Sequence, residues 1–198
     1  MTLMQRDIVV IGASRGGVAA LSLLVSDLPC DLAASLFVVL HIRPDVPGCL
    51  AAILSQVGRL PAMYATNLQP IERGWIFVAP PDRHLVLDPG LMRLSAGPKE
   101  HHTRPAADPL FCSAAAAYGP RVVGVVLTGG GGDGASGLIA IQQKGGIAIV
   151  QDPDDAVDPS MPRHALNTGH PNYSLRLIEI APLLVRLITG LEDDERSR

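Results

Sequence analysis

Short runs of apolar residues alternate along the chain with segments whose apolar positions recur at helical spacing. The apolar runs predict buried strands at residues 7–11, 35–41, 121–128 and 146–150. The helical spacing predicts helices at residues 16–28, 107–118, 135–144 and 178–191, with a loop leading into a helix at 44–57 and a short helix at 162–167. Alternation of this kind is typical of βαβ units, so the pattern predicts an α/β fold with a parallel sheet.

The middle of the chain has a different pattern. Three short strand-like runs, at residues 75–80, 83–87 and 91–94, are separated only by tight turns. Links this short have no room for crossover helices, and strands joined in this way are expected to be antiparallel. We therefore predict a small antiparallel excursion around residues 75–95 on a mostly parallel core.

Length and composition limit the class of protein. The chain has 198 residues, of which 47% are hydrophobic and 18% charged, which predicts a single folded domain with a sizeable core. Residues 1–6 and 192–198 are expected to be flexible tails. A formal net charge of −3 and only seven aromatic residues argue against a nucleic-acid partner.

Cysteine usage and hydropathy indicate the compartment. Cys30, Cys49 and Cys112 are widely spaced and odd in number, so they predict no disulfide framework and fit a reducing, cytoplasmic setting. The apolar run near the N-terminus is too short for a signal peptide, and no window is long enough for a transmembrane helix. Membrane insertion is not expected.

The segment Gly12–Gly17, with the sequence GASRGG, lies between a predicted strand and a predicted helix. One interpretation is a dinucleotide-binding loop, but Ser14 replaces its middle glycine and the next strand ends in His41 rather than an acidic residue. A second is a nucleophile elbow that exposes the Ser14 hydroxyl on a sharp turn. A third is a serine that only caps the helix.

Two further residues stand where neighbouring strands end. His41 closes the second predicted strand, and neighbouring parallel strands end at the same edge of a sheet, so His41 can meet Ser14 and take its proton. Asp133 follows four glycines after a third strand and could orient that histidine. The alternative for His41 is a histidine that only bonds a backbone group. The alternatives for Asp133 and its glycine loop are a helix cap and a loop that binds phosphate. Asp82 is a weaker choice as the histidine's partner, because its turn gives it no place at a strand end.

Other clusters of polar residues are weaker candidates for chemistry. Adjacent histidines in a polar loop have no established metal-ligand spacing, and the acidic loop near residue 155 lacks the pattern of a calcium site. The residues concerned are His101, His102, Asp152, Asp154, Asp155 and Asp158. We expect no metal and no cofactor.

Serine, histidine and aspartate in this order, each at a strand end, resemble the catalytic domain of the CheB-type chemotaxis protein-glutamate methylesterases. The matching stretches follow the family's order: IGASRGG (11–17), VLHIRP (39–44), FVAPPDRH (77–84), TRPAADPLF (103–111), LTGGGGDGASGL (127–138) and MPRHAL (161–166). The resemblance implies a doubly wound α/β domain that hydrolyses glutamate γ-methyl esters on chemoreceptors, and that also deamidates certain receptor glutamines.

The same resemblance assigns roles to residues of this chain. It implies Ser14 as nucleophile, His41 as base and acid, and Asp133 as the orienting carboxylate. The expected oxyanion donors are the amides of Arg15 and of Gly130 in the glycine loop. The side chains of Arg15, Arg43 and Arg104 are expected near the opening of the site, where they could orient an acidic receptor helix.

The sequence also departs from the family. Arg15 stands where threonine is common, and Gly130 stands where methionine is usual. No receiver domain is expected, so a response-regulator partner would be encoded separately. The expected substrate is a methylated chemoreceptor or a receptor-like signalling protein. The alternatives are a weak or inactive relative that binds signalling partners, and a nucleotide-binding domain.

Overall fold

The computed structural model describes residues 6–41 and 49–190, and these residues form two sheets flanked by helices. Seven strands form one sheet: β1 (Ile8–Ala13), β2 (Ser35–Leu40), β3 (Ala62–Tyr64), β5 (Ile76–Val78), β8 (Val122–Val126), β9 (Ile147–Gln151) and β10 (Tyr173–Leu175). Three strands form the other: β4 (Gln69–Pro70), β6 (His84–Asp88) and β7 (Leu91–Ser95). The helices are α1 (Gly17–Ser26), α2 (Leu50–Val57), α3 (Ala107–Tyr118), α4 (Ala135–Gln143), α5 (Ser160–Gly169) and α6 (Leu177–Thr189).

The larger sheet is parallel throughout and doubly wound. Its strand order is β10-β9-β8-β1-β2-β5-β3, so the chain starts at the centre, builds one half of the sheet and then crosses back to build the other. In such sheets a crevice forms where the strand order reverses, outside the carboxyl ends of the strands. The predicted α/β class with a mostly parallel sheet is confirmed, and so is the small antiparallel sheet.

The strand at residues 75–80 was expected in the antiparallel excursion, and that expectation is wrong. The strand β5 lies in the parallel sheet between β2 and β3, and all three of its residues are buried. Its apolar composition fits a position covered on both faces, which is typical of parallel strands. The antiparallel sheet instead contains β6, β7 and the two-residue β4.

The two faces of the parallel sheet carry separate hydrophobic cores. One core packs α1, α2 and α6 against the sheet, with Leu21 and Leu54 among its fully buried side chains. The other packs α3, α4, α5 and the small sheet, with Phe111 among its fully buried side chains. The alternating strand residues supply both cores, as for Val9 on one face and Val10 on the other, so both faces of β1 are dry.

Sequence patterning missed three edge strands: β3 and β10 of the parallel sheet, and the two-residue β4 of the small sheet. The strands β3 and β10 are three residues long and only partly buried, so they lack the continuous apolar run that marks the central strands. Within the described part of the chain, no helix combines the length and the apolar composition needed to cross a membrane.

Candidate active site

The central strands of the sheet bring Ser14 and His41 together. The strands β1 and β2 pair in parallel up to Ala13 and Leu40, and the amide of His41 then donates to the Ala13 carbonyl at 3.1 Å. Ser14 and His41 are therefore the first residues beyond one strand pair, and neighbouring strands lie only about 4.8 Å apart. On the other side of β1, the Ser14 amide donates to the Thr128 carbonyl at 3.0 Å.

Glycine makes the turn after Ser14 possible. Gly16 has a left-handed backbone conformation with φ of 78°, which glycine adopts without steric cost. A β-carbon on Gly17 would lie 2.6 Å from Leu40 Cδ1 and 2.8 Å from Ala13 Cβ, so only glycine lets α1 begin this close to the sheet. The turn leaves Ser14 partly exposed between strand and helix, which is the placement that a nucleophile elbow requires.

His41 and Asp133 form a close, largely buried pair. Nε2 of His41 lies 2.7 Å from Oδ2 of Asp133, and their side chains are 11% and 1% exposed. The carboxylate therefore occupies Nε2, and Nδ1 is the ring nitrogen outside this bond. The Ser14 hydroxyl makes no hydrogen bond to another described residue; catalytic contacts of this type often tighten only when substrate is bound.

Backbone amides hold the carboxylate of Asp133 in its ionised form. Oδ2 also accepts the Ala107 amide at 2.5 Å, and Oδ1 accepts the Asp108 amide at 3.0 Å, both at the N-terminus of α3. Burial disfavours the charge, but the hydrogen bonds from His41 and the two amides outweigh it and lower the pKa of Asp133. The aspartate is therefore a fixed negative group against the imidazole.

The glycine loop lies directly against the serine. The Gly129 amide donates to the Asp158 carbonyl at 2.9 Å, and the Gly129 carbonyl accepts the Met161 amide at 2.8 Å. A β-carbon on Gly129 would overlap the Met161 sulfur and lie 2.8 Å from Ser14 Cβ. The amides of Arg15 and Gly130 make no hydrogen bond to another described residue, so both can donate to a bound oxygen.

The Arg15 side chain lies at the surface beside this loop and is paired. It is 77% exposed, and Nη1 lies 3.1 Å from Oδ2 of Asp158. The carboxylate of Asp158 also accepts the amide and hydroxyl of Ser160, at 3.1 and 2.7 Å; these bonds, and the charge of Arg15, lower the pKa of Asp158. A β-carbon on Gly130 would lie 3.3 Å from the same Oδ2. Asp158 thus contacts both positions at which the sequence departs from the family.

Of the other two predicted arginines, Arg104 is used inside the protein. It makes four hydrogen bonds, two to Oδ1 of Asp82 and two to the carbonyls of Ala96 and Gly97. These bonds attach its guanidinium to Asp82 and to the loop that leads into α3. Its expected role at the opening of the site stays a prediction. Asp82 is occupied by Arg104 and not by His41. Arg43 lies outside the described residues.

His84 bonds the loop that leads into α3, a role that its position in the sequence did not indicate. The side chain is buried, its Nδ1 accepts the Ala106 amide at 3.2 Å, and its Nε2 lies 2.9 Å from the Pro98 carbonyl. Because His84 alternates with Leu85 and Leu87, the sequence places it on the other face of the strand, where a surface position is expected. The residues that bond it, Pro98 and Ala106, belong to the loop before α3, which is distant from His84 in sequence.

Among the described residues, one cluster has metal-ligand chemistry: His101, Asp108 and Asp133, whose ligand atoms lie within 4.8 Å of one another. The hydrogen bonds within the cluster already satisfy these groups, since His101 bonds Asp108 at 2.8 Å and both carboxylates accept backbone amides. We interpret it as a hydrogen-bonded network. The aspartates of the acidic loop diverge, Asp155 toward Leu177 and Asp158 toward Arg15.

Fold and site together define a class: a doubly wound α/β protein with serine, histidine and aspartate at the carboxyl edge of its central strands. The family model described as CheB methylesterase matches residues 9–184. The chain belongs to the CheB methylesterase family. The resemblance in the sequence motifs is thereby confirmed.

Individual relatives agree. A protein-glutamate methylesterase/protein-glutamine glutaminase of Anaeromyxobacter dehalogenans is 42% identical over 92% of this chain, which spans 53% of that relative. A putative enzyme of the same name from Leptospira interrogans is 35% identical over 93% of this chain and 96% of its own length. The crystal structure of the Thermotoga maritima CheB methylesterase catalytic domain superposes with a TM-score of 0.89 at 31% identity, covering 91% of this chain and 98% of that one. The chain thus spans about half of some relatives and nearly all of others.

Proposed function

We propose that this chain is a serine hydrolase that removes methyl groups from glutamate γ-methyl esters of chemoreceptor-like proteins. The observation that carries the proposal is the 2.7 Å bond from His41 to the buried Asp133. His41 and Ser14 each lie one residue beyond the paired strands β2 and β1, so they are neighbours at the same edge of the sheet. The names of the relatives support the substrate class.

In the first half of the reaction, the Ser14 oxygen attacks the γ-carbonyl carbon of the ester while Nδ1 of His41 takes the serine proton. The carbonyl π electrons move to oxygen, and the amides of Arg15 and Gly130 are the proposed donors to that oxyanion. The C–O bond to the methoxy group then breaks, methoxide takes the proton from His41, and methanol leaves. A glutamyl ester of Ser14 remains.

In the second half, water replaces serine by the same steps. His41 takes a proton from water as the oxygen attacks the acyl carbon, and returns a proton to the Ser14 oxygen as that bond breaks. The product is a glutamate carboxylate. Asp133 remains ionised and stabilises the imidazolium in both halves, because its pKa is lowered. The same route with ammonia as leaving group would deamidate a glutamine.

The partner side of the proposal rests on the rim of the site. Arg15 is 77% exposed and only one of its nitrogens is engaged by Asp158, so other N–H groups face solvent. A receptor helix rich in glutamate could bind there, since a guanidinium grips a carboxylate through parallel hydrogen bonds.

Release of methanol separates this function from its rivals. The substrate is a peptide with one glutamate γ-methyl ester flanked by glutamates, and the assay includes EDTA because the chemistry needs no metal. Methanol release with wild-type protein is expected. If the peptide binds but no methanol forms, a non-catalytic binding module is supported; a thermal shift with nucleotides and none with the peptide would support the nucleotide-binding alternative.

A further inference from the structure

Next to the proposed catalytic pair of His41 and Asp133, two aspartates each bond the N-terminus of the helix that the other belongs to or precedes. Asp133 precedes α4, and its carboxylate accepts the first amides of α3, those of Ala107 and Asp108. Asp108 lies in the first turn of α3, and its Oδ1 accepts the Gly137 amide in the first turn of α4 at 2.7 Å. Each carboxylate therefore lies at the positive end of the other's helix, a favourable place for negative charge.

The outer oxygen of Asp108 is held by a histidine from a tight turn. Nε2 of His101 lies 2.8 Å from Oδ2 of Asp108 and 4.0 Å from Oδ1 of Asp133. His101 and His102 are both left-handed, with φ of 49° and 63°, between Glu100 and Thr103, whose backbones bond each other across the turn. Non-glycine residues adopt this conformation at a cost, which indicates that the surrounding structure holds the turn in place.

The charges around Asp108 are unbalanced. The charged or titratable groups that act on Asp108 are the carboxylate of Asp133 and the imidazole of His101. The Asp108 charge in turn raises the pKa of Cys112, after burial, together with the charges of Glu100 and Asp133. Burial and the Asp133 charge raise the pKa of Asp108 against the bonds from the Gly137 amide and His101. Asp133 thus bonds one imidazole, that of His41, at 2.7 Å, and Asp108 bonds a second imidazole, that of His101, at 2.8 Å.

We propose that Asp108 is a positioning residue that acts through Asp133: its negative charge strengthens the hold of the Asp133–His41 pair on a proton, and His101 offsets that charge. The inference rests on the proposed function. It assigns opposite effects to the two partners of one hydrogen bond. Removing the charge of Asp108 should weaken proton binding at His41, whereas removing His101 should strengthen it.

The test is the pH profile of kcat/KM for a small neutral ester, the γ-methyl ester of an N-acetylglutamate amide, by methanol release. Asp108→Asn keeps an oxygen for the Gly137 amide and loses the charge; its acidic midpoint should fall by about 0.5 to 1 pH unit. His101→Asn, at a position where asparagine tolerates left-handed backbone, should raise the midpoint by roughly 0.3 to 0.5 unit. Asp88→Asn, an exposed carboxylate paired with Arg93, is the control and should keep the wild-type midpoint.

A merely structural role would lower kcat at every pH and leave the midpoints in place, and that result would overturn the inference. So would shifts of the same sign in both variants. If Asp108→Asn does not fold, His101→Asn decides alone, and an unmoved or lowered midpoint counts against the inference. Absence of hydrolysis by wild-type protein would overturn the proposed function instead.

Discussion

Ser14 and His41 each stand just past a buried strand, so their side chains can change without disturbing the core. Ser14→Ala removes the proposed attacking oxygen, and loss of one triad member costs on the order of 10⁴- to 10⁶-fold in kcat in other hydrolases. We expect methanol release to fall by at least about 10³-fold, with wild-type circular dichroism and melting temperature. His41→Ala should be similarly inactive.

The matched control is Ser26→Ala at the end of α1, the helix that follows Ser14. The Ser26 hydroxyl donates to the Leu23 carbonyl and to no other group in the described part of the chain. This variant should retain full activity. If Ser14→Ala kept more than about a tenth of wild-type methanol release, a loss far smaller than triad removal causes, Ser14 would not be the nucleophile.

Arg15 belongs to the same scale, but its effect should depend on the substrate. Arg15→Gln removes the charge without placing a second carboxylate beside Asp158. It should raise KM for an acidic methylated peptide by a few fold, since exposed ion pairs contribute only about 0–1 kcal/mol. The increase should shrink at high salt, where exposed charges are screened.

Hydrolysis of the small neutral ester separates the roles of Arg15. If the side chain only orients acidic protein, Arg15→Gln should leave that reaction nearly unchanged. Equal losses on both substrates would place Arg15 in the chemistry, and no loss on either would remove it from substrate binding. Arg93→Gln, which changes an equally charged surface residue on the small sheet, is the control for net charge.

At the scale of elements, the glycine loop needs glycine at residue 129 because its backbone packs closely against Met161 and Ser14. Backbone flexibility is not the reason at this position. Gly129→Ala would press a methyl group into the Met161 sulfur and against Ser14 Cβ, and overpacking of this kind typically costs about 1–3 kcal/mol. The melting temperature should fall by several degrees; for a domain this size each kcal/mol is about 2–4 °C. Thermal unfolding followed by circular dichroism measures the change.

The neighbouring position provides the comparison. A β-carbon on Gly130 meets only Asp158 Oδ2, at 3.3 Å, so Gly130→Ala should change the melting temperature much less. If both variants melted together, the loop would not be packed against α5 as tightly as the structure has it.

The elements also show where sequence patterning succeeds and where it stops. The central strands, and with them the meeting of Ser14 and His41, follow from the rule that parallel strands end at one edge. Contacts between residues that are far apart in the sequence cannot be predicted by that rule. Nothing local in the sequence shows that Asp108 caps α4, that Arg104 bonds Asp82, or that β5 crosses into the parallel sheet.

At the scale of the whole molecule, one buried carboxylate links three strands at the edge of the sheet opposite the site, where the strands begin. Asp7, 2% exposed, precedes β1 and accepts two parallel bonds from Arg121, both 2.8 Å, and one from Arg73 at 2.5 Å. Arg121 precedes β8 and Arg73 precedes β5, so three strand entrances meet at one group. Burial disfavours the charge, but the two arginines outweigh it and lower the pKa of Asp7.

Because folding lowers the pKa of Asp7, its ionised form stabilises the folded state above pH about 4, and this stabilisation is lost as the pH falls below that value. Asp7→Asn should therefore lower the free energy of unfolding at pH 7 by about 2–3 kcal/mol. This is less than the roughly 3–5 kcal/mol of a fully buried pair, because both arginines are half exposed. The difference between variant and wild type should shrink toward pH 3 in urea unfolding series. Asp88→Asn, whose pair with Arg93 is exposed on both sides, should match wild type throughout. A difference for Asp7→Asn that stayed constant from pH 7 to pH 3 would mean that packing, and not charge, is what Asp7 contributes at the entrance of the sheet.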